Sequence, residues 1–287
     1  MVSDYPFQPK TYLVEDGHRM SYLDEGQGKV IVMVHGNPTW SFFYRNLILL
    51  LKDRYRIIVP DHLGCGLSDK PRDYPYRLNN HVENLDRLLA HLKIDRHSMV
   101  VHDWGGAIGF GYAERYPERI ESLMILNTAA FRSQRIPFRI KICRIPFLGP
   151  ILVRGLNGFV RAALMMAVTK RLPKKVRQGY LDPYDSWAHR VAIQRFIEDI
   201  PLGAAHPSWK MLKKVEAGLS QFRNRPVLIL WGGKDFCFND HFFKEWQKRF
   251  PEARCIYMEN AGHYVLEDAG QEVDHLINSF FAEHLFS

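Results

Sequence analysis

Three short polar segments follow strand-like runs in this sequence, and each contains a residue that could take part in catalysis. Asp103 lies in VVHDWGG, where a strand pattern turns sharply into a helix rich in Gly and Ala. Asp235 ends the segment WGGKD, and His263 ends the later segment NAGH. Because the carboxyl ends of parallel strands meet at one edge of a sheet, we expect these three side chains to converge. Their chain order, nucleophile, acid and then histidine, is that of a known hydrolytic triad.

A carboxylate at the turn indicates a reaction that differs from that of a serine. A serine must lose a proton before it attacks, whereas Asp103 is already an anion at neutral pH. Asp103 can therefore displace a leaving group from a saturated carbon and become an alkyl ester. We expect Asp235 to orient His263, and His263 to activate the water that hydrolyses this ester. This chemistry needs no cofactor, and no metal-ligand spacing is present in the sequence.

Each of these residues alone would be weak evidence. An Asp between a strand and a helix is often only a helix cap, and a lone Trp104 is more often part of a core. Coincidence becomes the poorer explanation because Asp103, Asp235 and His263 fall at three independent strand ends in the required order.

The elements that must position these residues alternate as strands and helices along the first part of the chain. Strands are predicted at residues 11–14, 20–24, 29–34, 55–60, 97–101, 120–126, 226–231 and 254–258. Helices are predicted at residues 43–51, 79–92, 105–115 and about 271–284. Alternation of this kind predicts an α/β fold whose central sheet is mostly parallel and flanked by helices.

The alternation stops near Phe131, where the chain becomes helical, basic and rich in proline. We therefore predict two domains. Residues 1–130 and 216–287 would form the core, and residues 131–215 would form a helical cap inserted between two strands. Such an insertion lies beside the carboxyl ends of the strands, where ligands bind in open α/β sheets.

The net charge of +8 comes from one segment of the chain. Residues 132–177 contain 12 Lys and Arg and no acid, which leaves 27 basic against 31 acidic residues elsewhere. No nucleic-acid-binding motif accompanies these cations, so we expect no nucleic-acid partner. The interleaved apolar residues suit a contact with something anionic, a homo-oligomer interface or a partner protein. A solvated face whose aliphatic stems cover apolar surface is the simpler explanation of the pattern.

Apolar runs and cysteine spacing indicate in which cellular compartment the protein works. No apolar run is long enough to span a membrane, and the segment MVSDYPFQPK lacks the apolar core of a signal peptide. The four cysteines have no paired spacing and suggest reduced thiols. We therefore expect a cytoplasmic protein.

The segments HGNPTW, DHLGCGLSDKP, VVHDWGGAIGF, WGGKD and NAGH together resemble the haloalkane dehalogenase branch of the α/β-hydrolase family. The resemblance spans nearly the whole chain. It implies that Asn37 and Trp104 hold the departing halide with their side-chain N–H groups, and that their backbone N–H groups form the oxyanion hole. Asn127, not a carboxylate, follows the preceding strand, so Asp235 is the expected acid. This combination is similar to the third dehalogenase subfamily, which includes relatives of β-lactone decarboxylases in olefin synthesis.

The leading hypothesis is therefore a haloalkane dehalogenase that converts a lipophilic halogenated substrate to an alcohol, a halide and a proton. The alternative is a β-lactone decarboxylase that acts on a long-chain substrate, which the basic and apolar segment favours. An epoxide hydrolase would need two cap tyrosines, for which Tyr180 and Tyr184 are candidates. A luciferase-type oxygenase and a non-catalytic small-molecule receptor are further alternatives from other functional classes.

Overall fold

A single eight-stranded sheet forms the centre of the molecule. The computed structural model describes residues 4–285, and the sheet has the strand order β1-β2-β4-β3-β5-β6-β7-β8. The strands are β1 (Lys10–Leu13), β2 (Arg19–Glu25), β3 (Val30–Val34), β4 (Arg56–Pro60), β5 (His97–Asp103), β6 (Ile120–Thr128), β7 (Val227–Gly232) and β8 (Arg254–Met258).

Helices cover both faces of this sheet. They are α1 (Arg45–Leu51), α2 (Leu78–His91), α3 (Trp104–Ala113), α4 (Phe138–Ile142), α5 (Leu148–Pro150), α6 (Gly158–Met166), α7 (Lys174–Leu181), α8 (Val191–Glu198), α9 (Trp209–Gly218), α10 (Asp240–Arg249), α11 (Val265–Ala269) and α12 (Asp274–Leu285).

The sheet is parallel from β4 to β8, and β1 and β2 form an antiparallel hairpin at one edge. Every residue of β5 is buried, as expected for a central strand that is covered on both faces. Two apolar cores result, one on each side of the sheet. The predicted fold class, an α/β-hydrolase fold with a mostly parallel sheet, is confirmed.

The helical part of the chain lies between β6 and β7, from α4 to α9. The predicted cap boundary at residue 215 falls inside α9, and α9 packs against α2 and α3 of the main body. The outer ends of the predicted core domain, residues 1–3 and 286–287, lie outside the described residues.

Two predicted boundaries differ from the structure. The strand predicted to end at residue 101 continues through Asp103, and α3 begins at Trp104 with no intervening loop. The C-terminal helix predicted at about 271–284 is present as α12 but begins at Asp274, and the separate short helix α11 precedes it. Gly270 lies between the two helices with a φ of 53°, a positive value that glycine adopts without a steric penalty.

Within residues 4–285, no helix combines the length and apolarity needed to cross a bilayer.

Candidate active site

The sharp turn from β5 into α3 presents the side chain of Asp103. Its backbone has φ 52° and ψ −126°, a conformation that L-residues adopt only under strain. Close packing supports the turn, since an added Cβ at Gly105 would collide with the main chain of Val34 and one at Gly106 with Thr128. The Thr128 hydroxyl also donates to the Asp103 carbonyl oxygen. Packing and hydrogen bonding from neighbouring residues therefore stabilise this turn, because the backbone conformation of Asp103 is intrinsically unfavourable.

The structure brings Asp103, His263 and Asp235 together. His263 Nε2 lies 3.6 Å from Oδ2 of Asp103, and His263 Nδ1 lies 2.7 Å from Oδ2 of Asp235. All three side chains are buried. The imidazole thus stands between two carboxylates, with one nitrogen facing each.

Asp235 is anchored by groups that the sequence analysis did not assign to the site. Its Oδ2 accepts a 2.9 Å hydrogen bond from Asn127 Nδ2, and its Oδ1 accepts from the backbone N–H groups of Cys237 and Phe238. Asn127 is itself fixed, because its Oδ1 accepts from the N–H of Gly232 at 2.8 Å. The only feature of the sequence that indicated a role for Asn127 in anchoring Asp235 was its position at the end of the strand next to β7.

The two oxygens of Asp103 have different surroundings. Oδ1 accepts the backbone N–H of Asn37 at 2.7 Å, and the backbone N–H of Trp104, the next residue in the chain, is near enough to lower the pKa of this carboxyl group. Oδ2 faces His263. Oδ1 is therefore held by a backbone amide, a donor suited to negative charge, while Oδ2 faces the imidazole.

The side chains of Asn37 and Trp104 both reach the same site. Asn37 Nδ2 donates to the Ile193 carbonyl of α8 at 3.3 Å, which leaves its second N–H for a ligand. The buried Asn37 Oδ1 has no partner among the described residues. Within residues 4–285, the Trp104 indole N–H makes no hydrogen bond, and the ring lines a cavity beside Asp103.

Burial and charge shift the two titrating groups that face each other. Burial raises the pKa of Asp103 above its ordinary value, although His263 and the two amides oppose that shift. Burial would lower the pKa of His263, but the carboxylates of Asp235 and Asp103 outweigh it and raise that pKa. The imidazolium form is therefore favoured while both carboxylates are charged.

Two largely apolar cavities meet at Asp103. One has a volume of about 130 Å³ and extends past Trp104 towards Phe131 and Leu212. The other has a volume of about 240 Å³ and extends past His263 towards α6. The residues common to both linings are Asn37, Asp103, Ile140, Phe159 and Cys237. Asp103 thus lies where two apolar cavities diverge.

Tyr180 and Tyr184, the candidates for epoxide activation, contribute to neither cavity lining. Both are buried; the Tyr180 hydroxyl donates to Glu267 at 2.6 Å, and the Tyr184 hydroxyl accepts the N–H of Gly66 at 3.4 Å. Their positions give no support to an epoxide hydrolase. Residues 4–285 contain no cluster of three or more His, Cys, Asp or Glu side chains suited to a metal ion.

Comparison with known proteins agrees with this architecture. The α/β-hydrolase fold family model matches residues 29–142. A cis-3-alkyl-4-alkyloxetan-2-one decarboxylase from Shewanella oneidensis is 45% identical over 97% of this chain and 89% of its own. A haloalkane dehalogenase from Sphingobium indicum is 40% identical, with 96% of each chain covered.

Solved structures lead to the same group of enzymes. The crystal structure of a haloalkane dehalogenase from Bradyrhizobium elkani superposes with a TM-score of 0.84 at 25% identity, covering 96% of this chain and 99% of the other. The sequence-based assignment to this group is confirmed. The chain belongs to the α/β-hydrolase family that includes the haloalkane dehalogenases and the cis-3-alkyl-4-alkyloxetan-2-one decarboxylases.

Proposed function

We propose that this protein is a β-lactone decarboxylase that converts a lipophilic oxetan-2-one with alkyl groups on both C3 and C4 into an alkene and carbon dioxide. The observation that carries this proposal is the pair of apolar cavities that diverge from Asp103. A substrate with two alkyl chains on adjacent ring carbons would place one chain in each cavity. The 45% identical relative from Shewanella oneidensis is named for a substrate of this shape.

In this proposal Asp103 is the nucleophile. Its Oδ2 attacks ring carbon C4, the C4–O bond breaks, and the ring oxygen becomes part of a carboxylate. The electron pair of the bond from C3 to that carboxylate then forms the C3=C4 double bond. Carbon dioxide leaves, the ester bond to Oδ2 breaks, and Asp103 returns to its starting form without consuming water or a proton.

Asn37 and Trp104 take the role of anion donors. Their side-chain N–H groups face the carboxylate that develops when the lactone opens, as they would face a departing halide. This interaction strengthens as charge develops and therefore lowers the barrier. Loss of one such donor should cost about 2–4 kcal/mol of transition-state stabilisation, the range known for oxyanion-hole donors.

His263 and Asp235 have different tasks with the two substrate classes. With the lactone, the imidazolium held by Asp235 supplies positive charge beside Asp103 Oδ2. With a haloalkane, His263 must be neutral so that it can take a proton from the attacking water. The amides of Asn37 and Trp104 then hold the oxyanion that forms on Oδ1.

Haloalkane hydrolysis is the second candidate. The Asn37 and Trp104 donor pair favours it, and so does the 40% identity to the dehalogenase from Sphingobium indicum. Both candidates use an Asp103 alkyl ester, so one enzyme could carry out both reactions at different rates. In either case residues 131–215 would act as the cap that closes the cavities. The four free thiols would suit a reducing cytoplasm.

A competition between the two substrate classes tests the proposal. The purified full chain is given a cis-3,4-dialkyl β-lactone with long alkyl chains and, separately, a haloalkane of equal length. Alkene is measured by gas chromatography and halide by ion chromatography. We expect kcat/KM for alkene formation to exceed that for halide release. Halide release without alkene would overturn the decarboxylase proposal and favour the second candidate.

A further inference from the structure

The first part of the helical segment, residues 132–177, combines exposed apolar side chains with cations. We define the basic apolar surface as the exposed residues between 132 and 177. Its large apolar side chains that face solvent are Phe138, Ile145, Phe147, Leu148, Ile151, Leu156 and Met165. Single exposed apolar residues are ordinary, but a concentration of this kind in one segment is typical of an interaction surface.

The cations of this surface are largely unneutralised. Of the twelve Lys and Arg in residues 132–177, Arg132 alone forms an ion pair within the described residues, with Glu216. The half-buried Arg144 at the margin of this surface donates to the main-chain carbonyls of Ile197 and Ile200 and forms no ion pair within the described residues. The segment that carries these apolar side chains therefore has an excess of positive charge.

Phe147 is the most exposed of the apolar residues. It lies in the loop between α4 and α5 with 87% of its surface accessible and a φ of 64°. A bulky side chain at positive φ is unusual, and among the described residues the Phe147 ring has little packing to compensate for it. Lys141 and Arg144 precede it closely in sequence. The loop thus presents an aromatic ring to solvent, close in sequence to positive charge.

Both substrate cavities reach this surface. Arg135, Ile136 and Pro137 line the first cavity, and Arg139 and Met166 line the second. Phe138, which stands between these two groups in the chain, is 75% exposed. Whatever covers the basic apolar surface would therefore lie against residues that line the route to Asp103.

We propose that the basic apolar surface docks on the surface of an anionic phospholipid bilayer. Phe147 and its apolar neighbours would enter the interfacial layer, while the lysines and arginines contact the headgroups. Nucleic acid would match the cations but not the exposed aromatic and aliphatic side chains. A second copy of this chain would bring two sets of like charges together, which opposes self-association through this face. The inference does not require β-lactone chemistry.

Vesicle sedimentation with the full chain tests this docking. We expect the protein to pellet with vesicles of phosphatidylcholine containing phosphatidylglycerol and to stay in the supernatant with phosphatidylcholine alone. About 1 M salt, which shortens the Debye length to roughly 3 Å, should release most of the bound protein. Equal recovery with both lipid compositions, or no pelleting with either, would overturn the proposal.

Single substitutions test whether vesicle binding depends on this surface or is non-specific adsorption of the protein. Phe147→Ser should lower partitioning into anionic vesicles about tenfold, because an exposed aromatic side chain is lost from the interface. Lys141→Glu should also lower it, by reversing one charge. The matched control is Leu13→Ser, since Leu13 is an exposed apolar residue of β1 on the sheet edge. The thermal midpoint and the turnover of a short-chain substrate should be unchanged in all three variants.

Light scattering without lipid tests whether a second copy of this chain, and not a bilayer, covers the basic apolar surface. If the wild-type chain forms a complex of several copies that Phe147→Ser dissociates, the surface is a protein interface and the bilayer proposal is wrong. If the oligomeric state of the two proteins is the same while vesicle binding differs, the bilayer proposal stands.

Discussion

The backbone N–H of Asn37 donates to Oδ1 of Asp103 over 2.7 Å, although the two residues are 66 positions apart in the chain. This bond makes the two carboxylate oxygens unequal, because Oδ2 alone faces His263. Any alkyl ester would then form on Oδ2. The negative charge that forms during hydrolysis of this ester would develop on Oδ1, to which the Asn37 amide already donates.

Removal of the nucleophile tests the site directly. Asp103→Asn should abolish both alkene formation and halide release, by roughly 10³-fold or more, as for other covalent nucleophiles. The exposed Asp182→Asn variant is the control and should keep full activity. If Asp103→Asn turned over either substrate at the wild-type rate, Asp103 would not be the nucleophile.

The base should be needed only for hydrolysis of an alkyl ester. His263→Ala should still be alkylated by a haloalkane, and intact-mass spectrometry should show one stable adduct that maps to Asp103. The wild-type protein, examined at the same times, should show no lasting adduct. If the His263→Ala protein stayed unmodified, His263 would be needed for the alkylation step as well, and the proposed roles of Asp103 and His263 would be wrong.

Isotope labelling of Asp103 distinguishes haloalkane hydrolysis from β-lactone decarboxylation. A single turnover of haloalkane in H₂¹⁸O should place ¹⁸O in the Asp103 side chain, since water attacks its carbonyl carbon. Decarboxylation of the β-lactone should leave Asp103 unlabelled, because elimination returns both of its own oxygens. Mass spectrometry of the Asp103 peptide gives the measurement. Labelling with the lactone would show a hydrolytic route.

The pH dependence of the two reactions should differ. Burial lowers the pKa of His263, but Asp235 and Asp103 outweigh it and raise that pKa above its usual value, so the imidazolium persists to higher pH. An imidazolium cannot accept a proton, so halide release should fall as pH drops through this pKa. Esterification removes the charge of Asp103 and thereby reduces the upward shift. Alkene formation, which needs no base, should not fall over the same range; pH profiles of kcat for both products provide the check.

Asn127 should act as a positioning residue. Asn127→Leu removes the donor to Asp235 and the acceptor for Gly232, and should cost about 1–3 kcal/mol of stability for the unsatisfied groups. It should also lower kcat more than it changes KM, since His263 loses its fixed partner. Thermal unfolding and steady-state kinetics measure the two effects, with the half-buried Asn80→Ala as control. If Asn127→Leu lowered stability but left kcat unchanged, Asn127 would have a structural role only and would not position the catalytic groups.

The larger cavity should set the length of one alkyl chain. Ala163→Leu narrows the cavity beside α6 and should lower kcat/KM for a long chain about tenfold, while a short-chain substrate is little affected. The exposed Ala217→Leu on α9 is the matched control. Equal losses for long and short chains would mean that this cavity does not hold the alkyl group.

Much of the architecture was readable from the sequence. Continuous β-branched runs such as KVIVMV can be satisfied only where both faces of a strand are buried, and alternation with helices then requires a parallel sheet. That topology brings the strand ends of Asp103, Asp235 and His263 to one edge, whatever the details of the loops. The convergence of these three side chains could therefore be predicted from local pattern alone.

Tertiary structure decided what local pattern does not encode. The strand was predicted to end before Asp103, because no propensity favours the φ of 52° that β3 and β6 impose on that residue. The support of Asp235 by Asn127, and the two cavities that share Ile140 and Phe159, join residues distant in the chain. Such contacts depend on how helices pack over the sheet. The convergence of Asp103, Asp235 and His263 thus follows from local sequence pattern, while the two cavities beside Asp103 depend on packing.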